Sequence, residues 1–163
     1  MGKQIQKGSS LVEVMVALFV LAIGLLGVLA MQAKSMQYNQ SAHIYAQSIY
    51  LANDMAERIK SNPSQANSYL TASIPATAPT SCEISDFTST GCTQAQLNQW
   101  DLYNWKTRVV DRLPDGKAEI STLTESSRNY LNIVVSFDES RVDGREPDAN
   151  YSGRKEYSLL VEI

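Results

Sequence analysis

The sequence predicts an α+β fold: a long N-terminal α-helix, membrane-spanning in its first half, packed on a small antiparallel β-sheet, with a second short helix. Three observations carry this. Residues Leu11 to Met31 are apolar or small throughout, apart from Glu13. Beyond them, apolar and aromatic residues recur at Tyr45, Ile49, Ala52, Met55 or Ala56, and Ile59, in the steps of three and four that trace one helix face. At the far end of the chain Tyr157, Leu159, Val161 and Ile163 fall on every second position, the period of a strand.

The apolar run is long enough to cross a bilayer as a helix, which takes about 20 residues. A secretory peptide has an apolar core of only about 7–15 residues, followed by a small-residue cleavage site. Lys3 and Lys7 precede the run, which places the leader in the cytoplasm and the rest outside. No Pro or Gly interrupts the chain from Gln32 to Asn62, and Lys60 with Asn62-Pro63 supplies the stop signals. One helix from Leu11 to Ser61 is therefore expected, about 75 Å long at 1.5 Å per residue. Its second half keeps an apolar stripe, which argues for docking onto a sheet over a free stalk. Gly24 and Gly27 are three apart, so they do not form a small-xxx-small packing motif.

Pro63 to Gly91 reads as a polar, linker-like loop, with Pro75 and Pro79 breaking regular structure. Thr93 followed by Gln96 has the pattern of a capping box. Leu97, Trp100, Leu102, Trp105, Val109 and Leu113 keep helical spacing, which predicts a second helix from Gln94 to Arg112. Pro114-Asp115-Gly116 then makes a tight turn. Strands are expected over Ala118 to Leu123, over the Val/Ile-rich stretch Tyr130 to Phe137, and from Tyr157 to the end, with an acidic loop from Glu139 to Lys155 between the last two.

A chain of 163 residues fits one domain and an anchor. Its formal charge of −3 offers no basic footprint for nucleic acid. Cys82 and Cys92 lie in one Ser/Thr-rich segment. Two thiols or one disulfide fit that spacing; outside the cytoplasm the disulfide is the natural reading. With the lone His43 on a separate segment they make no zinc ligand set. No nucleophile elbow, phosphate-binding glycine loop or metal-ligand cluster is present, so neither catalytic residues nor a cofactor are expected and the protein is not read as an enzyme. Asp138, Glu139, Asp143, Glu146 and Asp148 gather oxygens in the acidic loop, but their spacing matches no EF-hand, and Arg141 and Arg145 offset their charge. A solvated loop is expected there.

The residue that bears on function is Glu13. A charge inside a membrane-length segment costs about 3 kcal/mol on insertion scales, and marks a functional site by default. It could snorkel toward the cytoplasmic headgroups. Alternatively, a cut after Gly8 would leave a positive amine on Ser9, four residues from the carboxylate, and the two charges could pair within one helix or between subunits.

A basic leader ending in Gly8, Glu13 five residues later, and an apolar helix after it resembles the class III signal of type IV prepilins, shared with type II secretion pseudopilins. The resemblance implies that a membrane prepilin peptidase/N-methyltransferase cuts between Gly8 and Ser9, that Ser9 becomes the modified N-terminus, and that Glu13 is the assembly carboxylate pairing with a neighbour's amine. The family usually carries Phe after the cut, where this chain has Ser9. Trp105, then Leu113-Pro114-Asp115-Gly116, then a Tyr-led strand ending Phe137-Asp138-Glu139, is similar to the globular part of PilV-like minor pilins.

These resemblances imply a minor pilin of a type IV pilus that takes part in assembly or priming. Its segments would be a leader (1–8), a transmembrane assembly helix (9–31), a periplasmic half-helix (32–62) and a globular head (63–163). Its partners would be other minor pilins, the major pilin, the prepilin peptidase and inner-membrane lipid. It would cross the inner membrane once with the head in the periplasm, and join the pilus on assembly. The alternative is a minor pseudopilin of a type II secretion system; a third reading is a membrane-anchored periplasmic binding module that never polymerises.

Overall fold

The computed structural model describes residues 9–70, 77–79, 81–82, 91–125, 127–140 and 153–163, with the side chains of Ser9 and Ser10 excepted. The elements in order are α1 (Ser9–Ser61), a 3₁₀ helix (Pro63–Ser68), α2 (Gln94–Arg112), β1 (Lys117–Glu125), β2 (Arg128–Asp138) and β3 (Arg154–Glu162). The chain divides into two compact units, Met1–Asn39 and Gln40–Ile163.

In the first unit, over residues 11–31, α1 has no polar face. Its large apolar side chains are exposed all round, from 52% at Val28 to 75% at Met31. Each square ångström of apolar surface left in water costs about 25 cal/mol, so a helix of this kind requires lipid or neighbouring helices around it. Among the described residues α1 is the one helix long and apolar enough to cross a membrane.

The second unit is built on an antiparallel sheet with the order β1-β2-β3. Its register pairs Ile120 with Ile133 and Ile133 with Leu159, so these side chains form one row on one face. The central strand alternates strictly. Leu131, Ile133, Val135 and Phe137 are fully buried, and the residues between them face the other way. Against this row lie Ile44, Leu51, Ala52, Met55, Ala56 and Ile59 of α1 and Leu102, Trp105 and Val109 of α2, all in a single core. The Tyr45 ring meets Phe137 and Tyr157 edge-on, at 6.5 and 6.3 Å between centroids, the favoured arrangement of aromatic quadrupoles.

The α+β architecture is the expected one, and the differences lie in detail. The buried face of α1 is rotated from the expected stripe: it runs through Ile44 and Ser48, while Tyr45 keeps 43% exposure. Ser48 tolerates full burial because its hydroxyl donates to the Tyr45 carbonyl at 2.7 Å, leaving no polar atom without a partner. The segment after α1 is not all loop, since Pro63 opens a short 3₁₀ helix, where its missing N–H costs nothing. β1 and β2 run longer than their apolar cores, to a turn between Glu125 and Arg128 in which Ser127 takes φ +66°. β3 starts at Arg154, ahead of its apolar alternation, so the loop before it is shorter than expected. A hydrogen bond from Glu139 N to Gly153 O at 2.7 Å closes the base of that loop. Arg141, Asp143, Arg145, Glu146 and Asp148 lie outside the described residues.

The turn after α2 is a three-way junction. Leu113 N donates to Val109 O, Gly116 N to Leu113 O, and Asp138 N to Pro114 O at 2.8 Å. Gly116 is required by close approach, because a Cβ there would lie 2.2 Å from the Val109 carbonyl oxygen.

Candidate functional site

The sequence points to the N-terminal stretch of α1 as the site. Gly8 lies outside the described residues. Ser9 and Glu13 are both in α1, and a separation of four residues puts them on the same helix face, one turn apart. Glu13 is exposed, ringed by exposed Leu11, Val12, Val14 and Val16. The chain itself gives this carboxylate an apolar surround on every side but that of the preceding turn. Any environment that shields the apolar ring, whether lipid or another helix, also removes water from Glu13. A desolvated carboxylate then needs a cation, since an unpaired buried charge is far more costly than a paired one.

Within the second unit, Gln40–Ile163, the head is tied to its stretch of α1 by polar contacts that the sequence reading missed. Trp105 is fully buried, and its Nε1 donates to the Leu51 carbonyl at 2.8 Å, which welds α2 to α1. One helix turn earlier, Asp101 is 4% exposed. Its two oxygens accept from Arg58 Nη1 at 2.5 Å and from the Tyr69 hydroxyl at 3.0 Å. Arg58 Nε also donates to Asp54 at 3.0 Å. Asn62 closes the cluster by donating to the Tyr69 oxygen at 3.3 Å and to the Gln94 carbonyl at 3.0 Å. This latch fixes the end of α1, the 3₁₀ helix and the start of α2 against one another. Burial pushes the Tyr69 phenol up to about 12, against the hydrogen bond from Asn62, with the adjacent Asp101 carboxylate adding to the rise. The available signal was two polar residues, Asn98 and Asp101, on the buried face of an otherwise apolar helix.

Cys82 and Cys92 are joined by a disulfide, with Cα atoms 5.4 Å apart. The second cysteine immediately precedes Thr93, which caps α2. The Thr93 hydroxyl accepts from Gln96 N, and the Gln96 side chain accepts from Thr93 N. The bridge therefore closes its loop onto the first turn of α2. His43 is exposed and shares a hydrogen bond with Gln47 at 3.1 Å. Among the described residues no group of His, Cys, Asp and Glu is placed to hold a metal ion.

Two family models match the chain. Residues 3–29 match the prokaryotic N-terminal methylation motif. Residues 30–103 match the family described as Type IV pilin Tt1218. The first match covers Gly8, Ser9 and Glu13 together; the second takes in the rest of α1, both cysteines and the capped start of α2. No curated protein and no solved structure matches the chain.

Proposed function

We propose, on the strength of the two family matches, that this chain is a type IV pilin, and a minor one that helps to assemble or prime a pilus. Pilins are structural subunits, so the protein would be the substrate of an enzyme, the prepilin peptidase, and not itself a catalyst. The reading divides the chain into a leader (1–8), an assembly helix (9–31), a half-helix beyond the membrane (32–62) and a head (63–163).

The observation that carries the proposal is Glu13, the one carboxylate in residues 11–31, a stretch of α1 that is otherwise apolar and exposed on every side. The leader lysines hold the N-terminus at the cytoplasmic face of the inner membrane. Cleavage after Gly8 removes them and frees the amine of Ser9. An incoming subunit then leaves lipid when neighbouring helices replace lipid around residues 11–31. Its Glu13 pairs with the terminal amine of an adjacent subunit, and this fixes the axial register. The same N-terminal chemistry serves a type II secretion pseudopilin. The similarity of Trp105 and Leu113–Gly116 to PilV-like heads favours the pilus.

A deletion strain tests the choice. Loss of surface pili and of twitching motility with protein secretion intact supports the minor pilin; intact pili with failed secretion overturns it in favour of the pseudopilin. The intact mass of the mature protein checks the processing. A mass lacking Met1–Gly8 is expected, and a retained leader in an active protein refutes it.

A further inference from the structure

Between Glu13 and Asp54 the sequence holds a single formal charge, Lys34. At 1.5 Å per residue it stands about 30 Å along the helix from Glu13, the thickness of a bilayer's hydrocarbon core. A helix with Glu13 at one boundary therefore delivers Lys34 to the other. Its ammonium is held in place: Nζ lies 5.2 Å from the centroid of the Tyr38 ring and donates to Gln37 Oε1 at 3.1 Å. Residues 34, 37 and 38 share one helix face. Tyr38 is 65% exposed. Among the described residues Lys34 has no carboxylate within ion-pair distance. An ammonium has three N–H donors, and Gln37 takes one of them. An amphipathic ring beside a cation on a flexible stem is suited to the membrane–water boundary, where the stem and ring stay in the apolar layer and the polar tips reach out.

We propose that Lys34 and Tyr38, oriented by Gln37, form a docking site for the phosphate of an anionic lipid headgroup in the leaflet opposite Glu13. The remaining ammonium donors and the phenol O–H would point at the phosphate oxygens, and Gln37 would keep the stem from swinging away. The site fixes how deep the helix sits, so that Glu13 stays at the cytoplasmic boundary where cleavage and capture by a neighbour take place. It rests on the membrane-anchored pilin reading. It adds that extraction into a filament must release a lipid contact at the far end of the span.

Full-length protein carrying Met36→Cys, spin-labelled at that position, tests the proposal after reconstitution into vesicles of phosphatidylcholine alone or mixed with phosphatidylglycerol. Label depth is read from collision rates with oxygen and with a water-soluble nickel chelate. In the mixed vesicles Lys34→Gln should shift the label by about 3 Å or more, two helical residues, while Lys34→Arg leaves it in place; in phosphatidylcholine alone Lys34→Gln and its parent should coincide. An unchanged depth in the mixed vesicles overturns the proposal, and so does an equal shift in both lipids, which is general snorkelling. A second label at Ile23→Cys, midway between Glu13 and Lys34, that is open to the chelate in every vesicle shows no insertion, and overturns the anchored reading together with the site. An unchanged depth combined with loss of Lys34→Gln protein from sheared pili assigns the lysine to a neighbouring subunit, which also refutes the lipid site.

Discussion

Replacing Asp101 by Asn tests how the head is held to α1. The carboxylate is 4% exposed and accepts from both Arg58 and Tyr69. Removing one partner of a buried ion pair costs about 3–5 kcal/mol when the other charge is left alone. Arg58 is not left alone, because it keeps Asp54 at 3.0 Å and its side chain is 25% exposed, so solvent offsets part of the loss. The amide oxygen can still accept from Tyr69. What disappears is one charge-assisted hydrogen bond, worth about 1.5–3 kcal/mol. The expected loss is therefore about 2 kcal/mol, a fall in Tm of about 6–10 °C for a unit of this size. Urea titration of the detergent-solubilised protein at neutral pH, followed by tryptophan emission, reads it directly, because Trp105 is fully buried beside Leu51. Asp101→Ala should cost more, since it removes an acceptor for the Tyr69 hydroxyl as well. A loss below about 0.5 kcal/mol for Asp101→Asn, at an unchanged m-value, would refute the latch as a contributor to stability.

Tyr69 adds a pH dependence to the same cluster. Its phenol stays protonated to about 12 in the folded state, against an ordinary value of about 10. The stability it contributes is complete below pH 10 and is lost as the pH climbs toward 12; unfolding free energies measured across that window should fall in the native protein, and Tyr69→Phe should flatten the fall. Gly116→Ala forces a methyl to 2.2 Å from the Val109 carbonyl oxygen, so the α2–β1 junction must open, with an expected cost of about 2–3 kcal/mol by the same denaturation assay. Cys82→Ser with Cys92→Ser removes a bridge spanning a sequence separation of 10. On loop-entropy grounds this costs about 2–3 kcal/mol, and wild-type protein treated with dithiothreitol should melt with the double variant.

Much of this fold is legible in the sequence because local and global signals agree. The run Leu11 to Met31 has no polar residue but Glu13, and α1 exposes the whole of it. The Thr93–Gln96 box starts α2 at the residue expected. The Pro114–Gly116 turn ends the helical region because α2, β1 and β2 all bond through it. The features that escaped are those in which tertiary contacts override a local period. Ser48 is buried because its hydroxyl finds a carbonyl one turn back, so a stripe drawn through apolar residues alone misses it. Asp101 and Asn98 interrupt the apolar face of α2, and only the meeting with Arg58 and Tyr69, distant in sequence, explains the aspartate. The β1–β2 turn has no glycine to announce it, since Ser127 takes the left-handed conformation itself. At the candidate site the reverse holds. Glu13 was evident from sequence because a carboxylate within an apolar run needs no partner contact to be noticed. Lys34 was not, because a lone lysine past the end of such a run gains meaning only when Tyr38 and Gln37 fall beside it.

On the proposed function, the charge of Glu13, and not merely the oily helix around it, drives the subunit from lipid into a filament. Glu13→Gln keeps the volume of the side chain and removes the charge. Cells producing this variant in place of the native protein should yield a polypeptide whose intact mass lacks Met1–Gly8, yet the protein should be missing from sheared filaments and remain in the inner membrane. Entry of the processed variant into filaments at the native level would show that the charge does not drive assembly.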